Sequence, residues 1–343
     1  MRILQNTLYV TSPDAYLSLD GENIVVMKER EELGRVPLHN LEGVVTMGYK
    51  GASPALMGAC AKRDIALSFL TQNGRFLARV TGEVRGNVTL RRTQYRLSEE
   101  EDTSVGIARL FIAAKLQNAR WVLERATRDH AMRLDTETLH DTAVFLGAAA
   151  KNAAAAASLG TLRGIEGEGA QRYFSVFDDL ILQQKEAFVF TGRSRRPPLD
   201  RVNALLSFVY TLLAHDVGAA LETVGLDPYV GFLHRDRPGR LSLALDLMEE
   251  LRTVVCDRFV LSLINRRMVS ASGFTEKENG AVVMDDDTRK AILSAWQTRK
   301  QETLLHPFLK EKIPWGLVPY TQALLLARVL RGDLEAYPPF FWK

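Results

Sequence analysis

Apolar residues alternate with polar residues over several short stretches between residue 8 and about residue 94. An alternation with a period of two is typical of β-strands. The stretches are separated by turn sequences such as Asp20-Gly21 and Asn73-Gly74, which join antiparallel strands. One helix is predicted over residues 53–62, because it begins with a serine followed by a proline. The first part of the chain is therefore predicted to be mostly β.

After about residue 102 the apolar positions recur with the helical period of 3.6. The dipeptide Pro197-Pro198 interrupts this helical region, and the segment VVMDDDTRKAIL after Gly280 suggests a small hairpin. We predict an α+β fold with a small β-rich N-terminal domain over 1–94, a linker over 95–102 and a larger all-α C-terminal domain over 103–343. The N-terminal domain is the candidate for dimerisation and partner contacts.

The chain has 343 residues, of which 46% are hydrophobic, and this is enough to bury the cores of two domains. No run of about 18 apolar residues is present, and residues 1–10 are too short and too interrupted for a signal peptide. We therefore expect a cytoplasmic protein without a membrane segment. Cys60 and Cys256 lie far apart within apolar helical patterns, which predicts two buried thiols without chemistry.

Arginine is unusually common among the charged residues. The formal net charge is only +3, but 12 of the 44 basic residues are lysines and 32 are arginines. A GC-rich genome also enriches arginine, so local clusters are more informative than the total. Arginine suits bidentate phosphate recognition. For the first cluster, which lies just before Pro197-Pro198, ion pairing between domains is an equally weighted alternative. The candidate phosphate contacts are Arg193, Arg195 and Arg196 in the first cluster and Arg237 and Arg240 in a second cluster, for which a solvated loop is the alternative.

An acidic helix is predicted after the Pro238-Gly239 turn. Its polar residues recur at i, i+4, i+7 and i+11, and they are Ser242, Asp246, Glu249 and Thr253. Leucines and valines occupy the opposite positions and are expected in the core. Two carboxylates would then be held on a rigid helix beside His234, where a divalent metal could bind. The alternative is that His234 is a satisfied structural histidine.

Glu166 is the third candidate for a metal site. It lies among Gly164, Gly167 and Gly169 at the expected start of a helix, and such glycines allow a backbone or a phosphate to approach closely. The positions that follow it on the same helical face are apolar or aromatic. A glutamate in such surroundings must be paired, protonated or bound to a metal.

Several activities are disfavoured by the sequence. It contains no Walker loop, no dinucleotide-binding fingerprint after a strand and no zinc-type cysteine pair. Carboxylates, a histidine and clustered arginines together favour metal-assisted chemistry on phosphodiesters.

Five stretches resemble the CRISPR-associated integrase of spacer acquisition, the universal CRISPR adaptation endonuclease. The resemblance covers nearly the whole chain, and its motifs are RGNVTLRRTQYR, GIEGEGAQRYF, RSRRPPLDRVNALLSFVY, GFLHRDRPGRLSLALDLMEELR and LLLARVLRGDLEAYPPF. It implies that the all-α domain binds Mn²⁺ or Mg²⁺ through Glu166, His234 and Glu249, which would be the catalytic residues. Asp246 shares the face of Glu249 and is expected to be a second acidic contributor, whereas Glu250 is rotated from it by about 100°.

The resemblance also implies a reaction and partners. A 3′-hydroxyl of a captured DNA fragment would attack a repeat phosphodiester, so that the fragment becomes a spacer in a CRISPR array. Expected partners are double-stranded and branched DNA, a second copy of the chain and a small ferredoxin-like adaptation protein of the Cas-two family. A RecB-like CRISPR-associated exonuclease is left open, and the closing sequence favours subtype I-C. The alternatives are a metal-dependent nuclease of branched DNA or RNA in repair and a non-catalytic DNA-binding scaffold.

Overall fold

The structure is a computed structural model that describes residues 6–63, 65–71, 76–80, 82 and 88–342. Eleven strands are present in the described residues. They are β1 (Asn6–Val10), β2 (Ala15–Asp20), β3 (Asn23–Lys28), β4 (Glu31–Pro37), β5 (Leu41–Met47), β6 (Ala66–Leu70), β7 (Phe76–Val80), β8 (Phe274–Glu276), β9 (Val282–Met284), β10 (Thr303–Leu305) and β11 (Lys312–Pro314).

Ten α-helices lie in the same described ranges. They are α1 (Pro54–Lys62), α2 (Val88–Glu99), α3 (Glu101–His130), α4 (Thr136–Ala154), α5 (Leu159–Ser175), α6 (Arg201–Thr223), α7 (Ser242–Met248), α8 (Arg258–Asn265), α9 (Asp286–Gln301) and α10 (Val318–Leu330). The chain forms two compact units, the first from described residues of Met1–Arg85, Met284–Glu302 and Pro314–Gly316, and the second from those of the remaining segments.

The first unit is built from two sheets and α1. Strands β2, β3 and β4 form an antiparallel sheet, while β1, β5 and β6 run parallel in a second sheet that β7 completes as an antiparallel edge. Apolar side chains of both sheets and of α1 share one core, which includes Leu17, Ile24, Val44, Leu56 and Leu67. The strand-rich N-terminal region is thus present as predicted, and the Asn73-Gly74 turn lies outside the described residues.

Helix α9 belongs to the first unit although it lies far along the sequence. Gln297 Nε2 donates a hydrogen bond of 2.7 Å to the carbonyl of Thr7 in β1. The predicted hairpin over VVMDDDTRKAIL is wrong for most of that segment, since only Val282–Met284 is a strand and Asp286–Gln301 is a helix. Asp285 caps this helix by accepting from the Thr288 amide, which explains why the acidic run starts a helix.

The second unit is mostly helical, as expected, although the short strands β8 to β10 show that it is not all-α. Residues 95–102, predicted as a linker, lie in α2 and α3 except for Glu100. Helix α2 buries Leu90 and Gln94, so the end of the region predicted as β-rich is a helix with one packed side.

The predicted acidic helix after residue 242 is not continuous. Helix α7 ends at Met248, and a π-helical stretch over Arg252–Asp257 precedes α8. Asp246, Glu249 and Thr253, predicted on a polar face, are all buried to 3% exposure or less. The carboxylates therefore lie inside the unit and need partners there.

Helix α6 is long and apolar enough, by length and composition alone, to cross a membrane. In the most apolar 18-residue window of this helix, 61% is buried inside the protein, which is usual for a core helix. Cys60 and Cys256 are free and buried, in agreement with the sequence analysis.

Gly48 gives a test of the packing in the first unit. A Cβ built at this buried glycine would meet the backbone oxygen of Pro13 at 2.3 Å, so Gly48→Ala must displace main chain. We expect a loss of about 2 kcal/mol in the free energy of unfolding by urea. The matched control is Gly58→Ala at an exposed position of α1, where nothing lies within 4 Å of the added Cβ and the helix should gain about 0.5–1 kcal/mol. Equal effects of the two substitutions would contradict this packing.

Candidate active site

Glu166 lies in the middle of α5. The helix begins at Leu159, because Ser158 accepts a hydrogen bond of 3.1 Å from the Thr161 amide. The glycines around Glu166 are therefore inside the helix and not at its start. Gly169 packs closely against α3, where a Cβ would meet the Leu116 side chain. This close approach brings α5 and Glu166 against α3.

Lys115 of α3 joins two of the predicted site residues. Its ammonium group contacts Glu166 Oε1 directly and lies 2.8 Å from Glu249 Oε2. The side chain of Lys115 is only 10% exposed, and that of Glu249 only 4%. One buried cation thus holds together carboxylates from α5 and from the end of α7.

Glu249 has a second cationic neighbour, Arg252, whose Nη2 lies 3.1 Å from Oε1. Burial raises the pKa of the Glu249 carboxyl, but Arg252 and Lys115 outweigh burial and bring the pKa down to about 2, with a smaller contribution from His234. Glu249 is therefore ionised at neutral pH. Its Oε2 accepts no well-oriented hydrogen bond, despite the short distance to Lys115.

Asp246 fixes the loop that carries His234. Its Oδ2 accepts hydrogen bonds from the amides of Phe232 and Leu233 at 2.6 and 2.8 Å, and its Oδ1 accepts from the His234 amide at 3.0 Å. The Nδ1 atom of His234 lies 2.5 Å from the same Oδ1. Gly231 allows this contact, because a Cβ there would lie 2.7 Å from Asp246 Oδ2.

The loop is also held from outside. Arg163 of α5 donates to the Leu233 carbonyl at 2.7 Å. Gln94 of α2 donates to the carbonyls of Asp227 and Val230, and it accepts from the Asp227 amide. Both ends of the loop before His234 are thus tied to helices.

The three acidic residues near the end of α7 have separate roles. Both oxygens of Asp246 contact the loop and orient His234, while its predicted role as a second acidic contributor stays a prediction. Glu250 is fully buried on another side, and burial raises its pKa to about 7. Only Glu249 faces Lys115 and Arg252.

A small cavity with a mixed polar and apolar lining adjoins this cluster. It offers about 20 Å³ to water, and its lining includes Lys115, Arg252 and Asp257. Asp257 Oδ1 accepts a hydrogen bond of 2.6 Å from Tyr210, while burial raises the pKa of Asp257 to about 6. This volume is sufficient for one water molecule.

The five candidate arginines divide into two groups. Arg193 is half-buried and donates to Asn203 Oδ1 at 2.5 Å and to the Ser194 carbonyl at 2.6 Å, and burial lowers its pKa. Its guanidinium is therefore already engaged by protein atoms, and its phosphate contact stays a prediction. Exposed side chains belong to Arg195, Arg196 and Arg237, and Arg240 is partly exposed.

The predicted metal ligands were tested against this geometry. In the part of the chain that the structure describes, no three His, Cys, Asp or Glu side chains are already grouped as the ligands of a metal ion. The donor chemistry nevertheless fits a divalent cation. The ammonium group of Lys115 already contacts Glu166 and Glu249, and the buried Glu249 Oε2 accepts no well-oriented hydrogen bond. A carboxylate that orients a histidine through Nδ1 is also typical of histidine ligands.

Sequence reasoning missed Lys115 and Arg252. Lys115 stands in the otherwise apolar stretch FIAAKL, and a buried lysine requires a carboxylate partner. Arg252 follows Glu249 by three positions, which is the spacing of a helical ion pair. These signals existed, but neither identifies Glu166 as a partner.

A model of the family described as CRISPR associated protein Cas1 matches residues 8–298. A protein of Chlorobaculum tepidum, named CRISPR-associated endonuclease Cas1 1, is 52% identical over 98% of both chains. A Rhodospirillum rubrum protein, named CRISPR-associated endonuclease Cas1 2, is 53% identical over 100% of both. A Cas4/Cas1 fusion of Geobacter sulfurreducens is 35% identical over 97% of this chain and 60% of its own length.

Two solved structures share the fold. A casposase bound to its integration product superposes with a TM-score of 0.81 and 24% identity, over 98% of this chain and 93% of that chain. A chain of a Cas6-RT-Cas1–Cas2 complex gives a TM-score of 0.81 at 23% identity, over 99% of this chain and 36% of that chain.

The role of Asp246 in the His234 loop can be tested by Asp246→Asn. An amide nitrogen would replace an oxygen that accepts backbone N–H groups, so we expect a loss of about 3 kcal/mol in the free energy of unfolding by urea. The control is Asp236→Asn in the exposed part of the same loop, with an effect within about 0.5 kcal/mol. A similar small effect at Asp246 would disprove this role.

Proposed function

The chain belongs to the CRISPR-associated Cas1 family, and from this premise we propose that it is a metal-dependent DNA endonuclease and integrase that inserts captured DNA fragments into a CRISPR array. Its full-length relatives at about half identity are named endonucleases, so the chain is a nuclease of this family. The observation that carries the proposal is the pair of carboxylates, Glu166 and Glu249, held at one buried cation beside an oriented histidine.

Glu166, His234 and Glu249 are the residues that would hold Mn²⁺ or Mg²⁺. Nucleases of the family are generally metal-dependent, and two carboxylates with one imidazole suit either ion. When bound, the metal supplies Lewis-acid polarisation of the phosphate. Glu249 is ready as a ligand because its pKa of about 2 keeps it ionised.

In the proposed integration step, the 3′-oxygen of the fragment forms a bond to a repeat phosphorus and the bond to the repeat's own 3′-oxygen breaks. The attacking hydroxyl loses a proton and the leaving oxygen gains one, so the number of phosphodiester bonds is unchanged. Water in place of the hydroxyl gives hydrolysis. Arg252 and Lys115 place positive charge where negative charge develops on the phosphate oxygens. Asp246 holds His234 in one ring orientation.

We further propose that Arg195, Arg196, Arg237 and Arg240 contact DNA phosphates. They lie in the loops 193–198 and 235–240, and three of the four are exposed. Capture of a duplex of any sequence requires contacts to the backbone, not readout of bases.

The proposed partners follow from the family. A Cas1–Cas2 complex has a chain of the same fold, and fusions join Cas4 to Cas1, so we propose a Cas2-type partner and association with a Cas4-type exonuclease. A homodimer and membership of subtype I-C remain predictions from the sequence.

The central test uses a labelled branched DNA that mimics a half-integrated fragment. With Mn²⁺ we expect joined strands on a denaturing gel, and with EDTA none. Glu166→Gln should reduce joining by about 100-fold or more, because it removes a ligand charge at the reacting phosphate. Glu168→Gln, an exposed position on the same helix, is the matched control.

Each alternative has its own outcome in this assay. Metal-dependent cleavage without joining would favour a repair-type nuclease. Joining by an adaptation complex that Glu166→Gln leaves intact would favour the DNA-binding scaffold.

The phosphate contacts predict a change in salt dependence. The double variant Arg195→Ala/Arg196→Ala should lower the slope of log K against log salt by about 2 in magnitude, since each lost phosphate contact changes it by about 0.9. Arg128→Ala, which removes another exposed arginine, is the control. Fluorescence anisotropy with duplex DNA in EDTA measures binding apart from catalysis, and an unchanged slope in the double variant would exclude these contacts.

A further inference from the structure

The segment 337–342 near the end of the chain is an interior part of the second unit. Tyr337, Phe340 and Trp342 are 3%, 0% and 9% exposed, whereas Phe341 between them is 37% exposed. These three buried side chains thus anchor the segment to the unit. The segment therefore packs on its own chain.

Glu250 receives hydrogen bonds from this segment. The Tyr337 hydroxyl donates to Oε1 at 2.5 Å, and the Phe340 amide donates to Oε2 at 2.9 Å. Gln322 of α10 donates to Oε1 at 2.8 Å. Both oxygens of Glu250 are therefore committed. Because Glu250 is the peptide neighbour of Glu249, these bonds also restrict the backbone that carries Glu249.

Asn118 of α3 links Glu250 to the segment 337–342 by hydrogen bonds. Its Nδ2 donates to the carbonyls of Glu250 and Phe340 at 2.8 and 2.7 Å, and its Oδ1 accepts from the Trp342 amide at 2.9 Å. Asn118 is fully buried and lies three positions after Lys115, so both project from neighbouring parts of one helix face. The same residue that binds the segment thus stands one turn from the bridging lysine.

Trp342 contacts Arg258, the residue that directly follows the π-helical stretch Arg252–Asp257. The guanidinium of Arg258, the first residue of α8, lies 4.1 Å from the centre of its ring, and that of Arg125 of α3 lies 5.3 Å away. The segment therefore contacts α3 and both ends of the stretch that contains Arg252.

We infer that segment 337–342, acting through Asn118 and Glu250, is a positioning element that sets Glu249 and Arg252 relative to Lys115 and thereby the affinity for the divalent metal. The inference rests on the metal site of the proposed function. Outer partners of metal ligands typically change metal affinity by about 10–100-fold when they are removed. None of the segment's side chains is proposed to touch metal or DNA.

Two pairs of variants test this role. Asn118→Ala removes the bonds that join α3, Glu250 and the segment, and Gln117→Ala on the preceding residue of α3 is its control. Trp342→Ala removes the ring that covers Arg258, and Phe341→Ala removes a more exposed aromatic ring from the same segment. Trp342→Phe should retain most of the wild-type Mn²⁺ affinity, because it keeps an aromatic ring at that position.

The full-length proteins are compared in three measurements without DNA: the Mn²⁺ dissociation constant by calorimetry, the thermal midpoint, and amide hydrogen exchange over 249–257. We expect Asn118→Ala and Trp342→Ala to weaken Mn²⁺ binding by about tenfold and to speed exchange over 249–257. Both control variants should match the wild type.

The results separate this inference from the proposed function. Folded Asn118 and Trp342 variants with a lower midpoint but wild-type Mn²⁺ affinity would show that the segment only stabilises the fold. A wild-type protein that binds no Mn²⁺ would overturn the proposed metal site, and the exchange over 249–257 would still report whether the segment positions this stretch. If Asn118→Ala does not fold, the milder Trp342 series decides.

Discussion

The arrangement of the second unit depends on the ion pairs of the buried Lys115 ammonium group. This group pairs with Glu166 from α5 and with Glu249 from the end of α7. An unpaired carboxylate at this depth would cost several kcal/mol, so α3, α5 and the stretch after α7 must meet at one place. Arg252 adds a second cation, and the two together keep Glu249 ionised. In the proposed function, a divalent ion would enter a site that already contains these two cations.

The residues near the end of α7 show how neighbouring acids take different roles. Asp246 turns to the loop of His234, Glu249 to the cations and Glu250 to the segment 337–342. Each direction is fixed by the hydrogen-bond donors that surround that carboxylate. The break between α7 and α8 belongs to the same arrangement, because a continuous helix would repeat its side chains on fixed faces.

The candidate site also depends on elements that are distant in sequence. Helix α2 holds the start of the His234 loop through Gln94, and α5 holds its end through Arg163. The segment 337–342 joins α3 to Glu250 from the far end of the chain. The carboxylates are therefore placed by several separate segments, which is the kind of support that keeps a reactive geometry fixed.

Much of the fold and part of the site could be predicted from the sequence. The alternating strands before residue 71, the capped helix α1 and the helical second unit follow from local periodicity and capping. The motifs indicated the family and singled out Glu166, His234 and Glu249, whose roles as ligands remain a prediction. The predicted linker over 95–102 is almost entirely helical, because burial of one side of α2 depends on what packs against it.

Local sequence therefore determined which residues could form helices and strands and which side chains were candidates for catalysis or metal binding. Only the tertiary structure decided which charges meet. Lys115 precedes Glu166 by 51 positions, and no local pattern encodes such a distance. Arg193 resembled its exposed neighbours in sequence but is turned inward by Asn203. Pairing of buried charge is set by the packing of separate helices, and this packing appears only when the whole chain is folded.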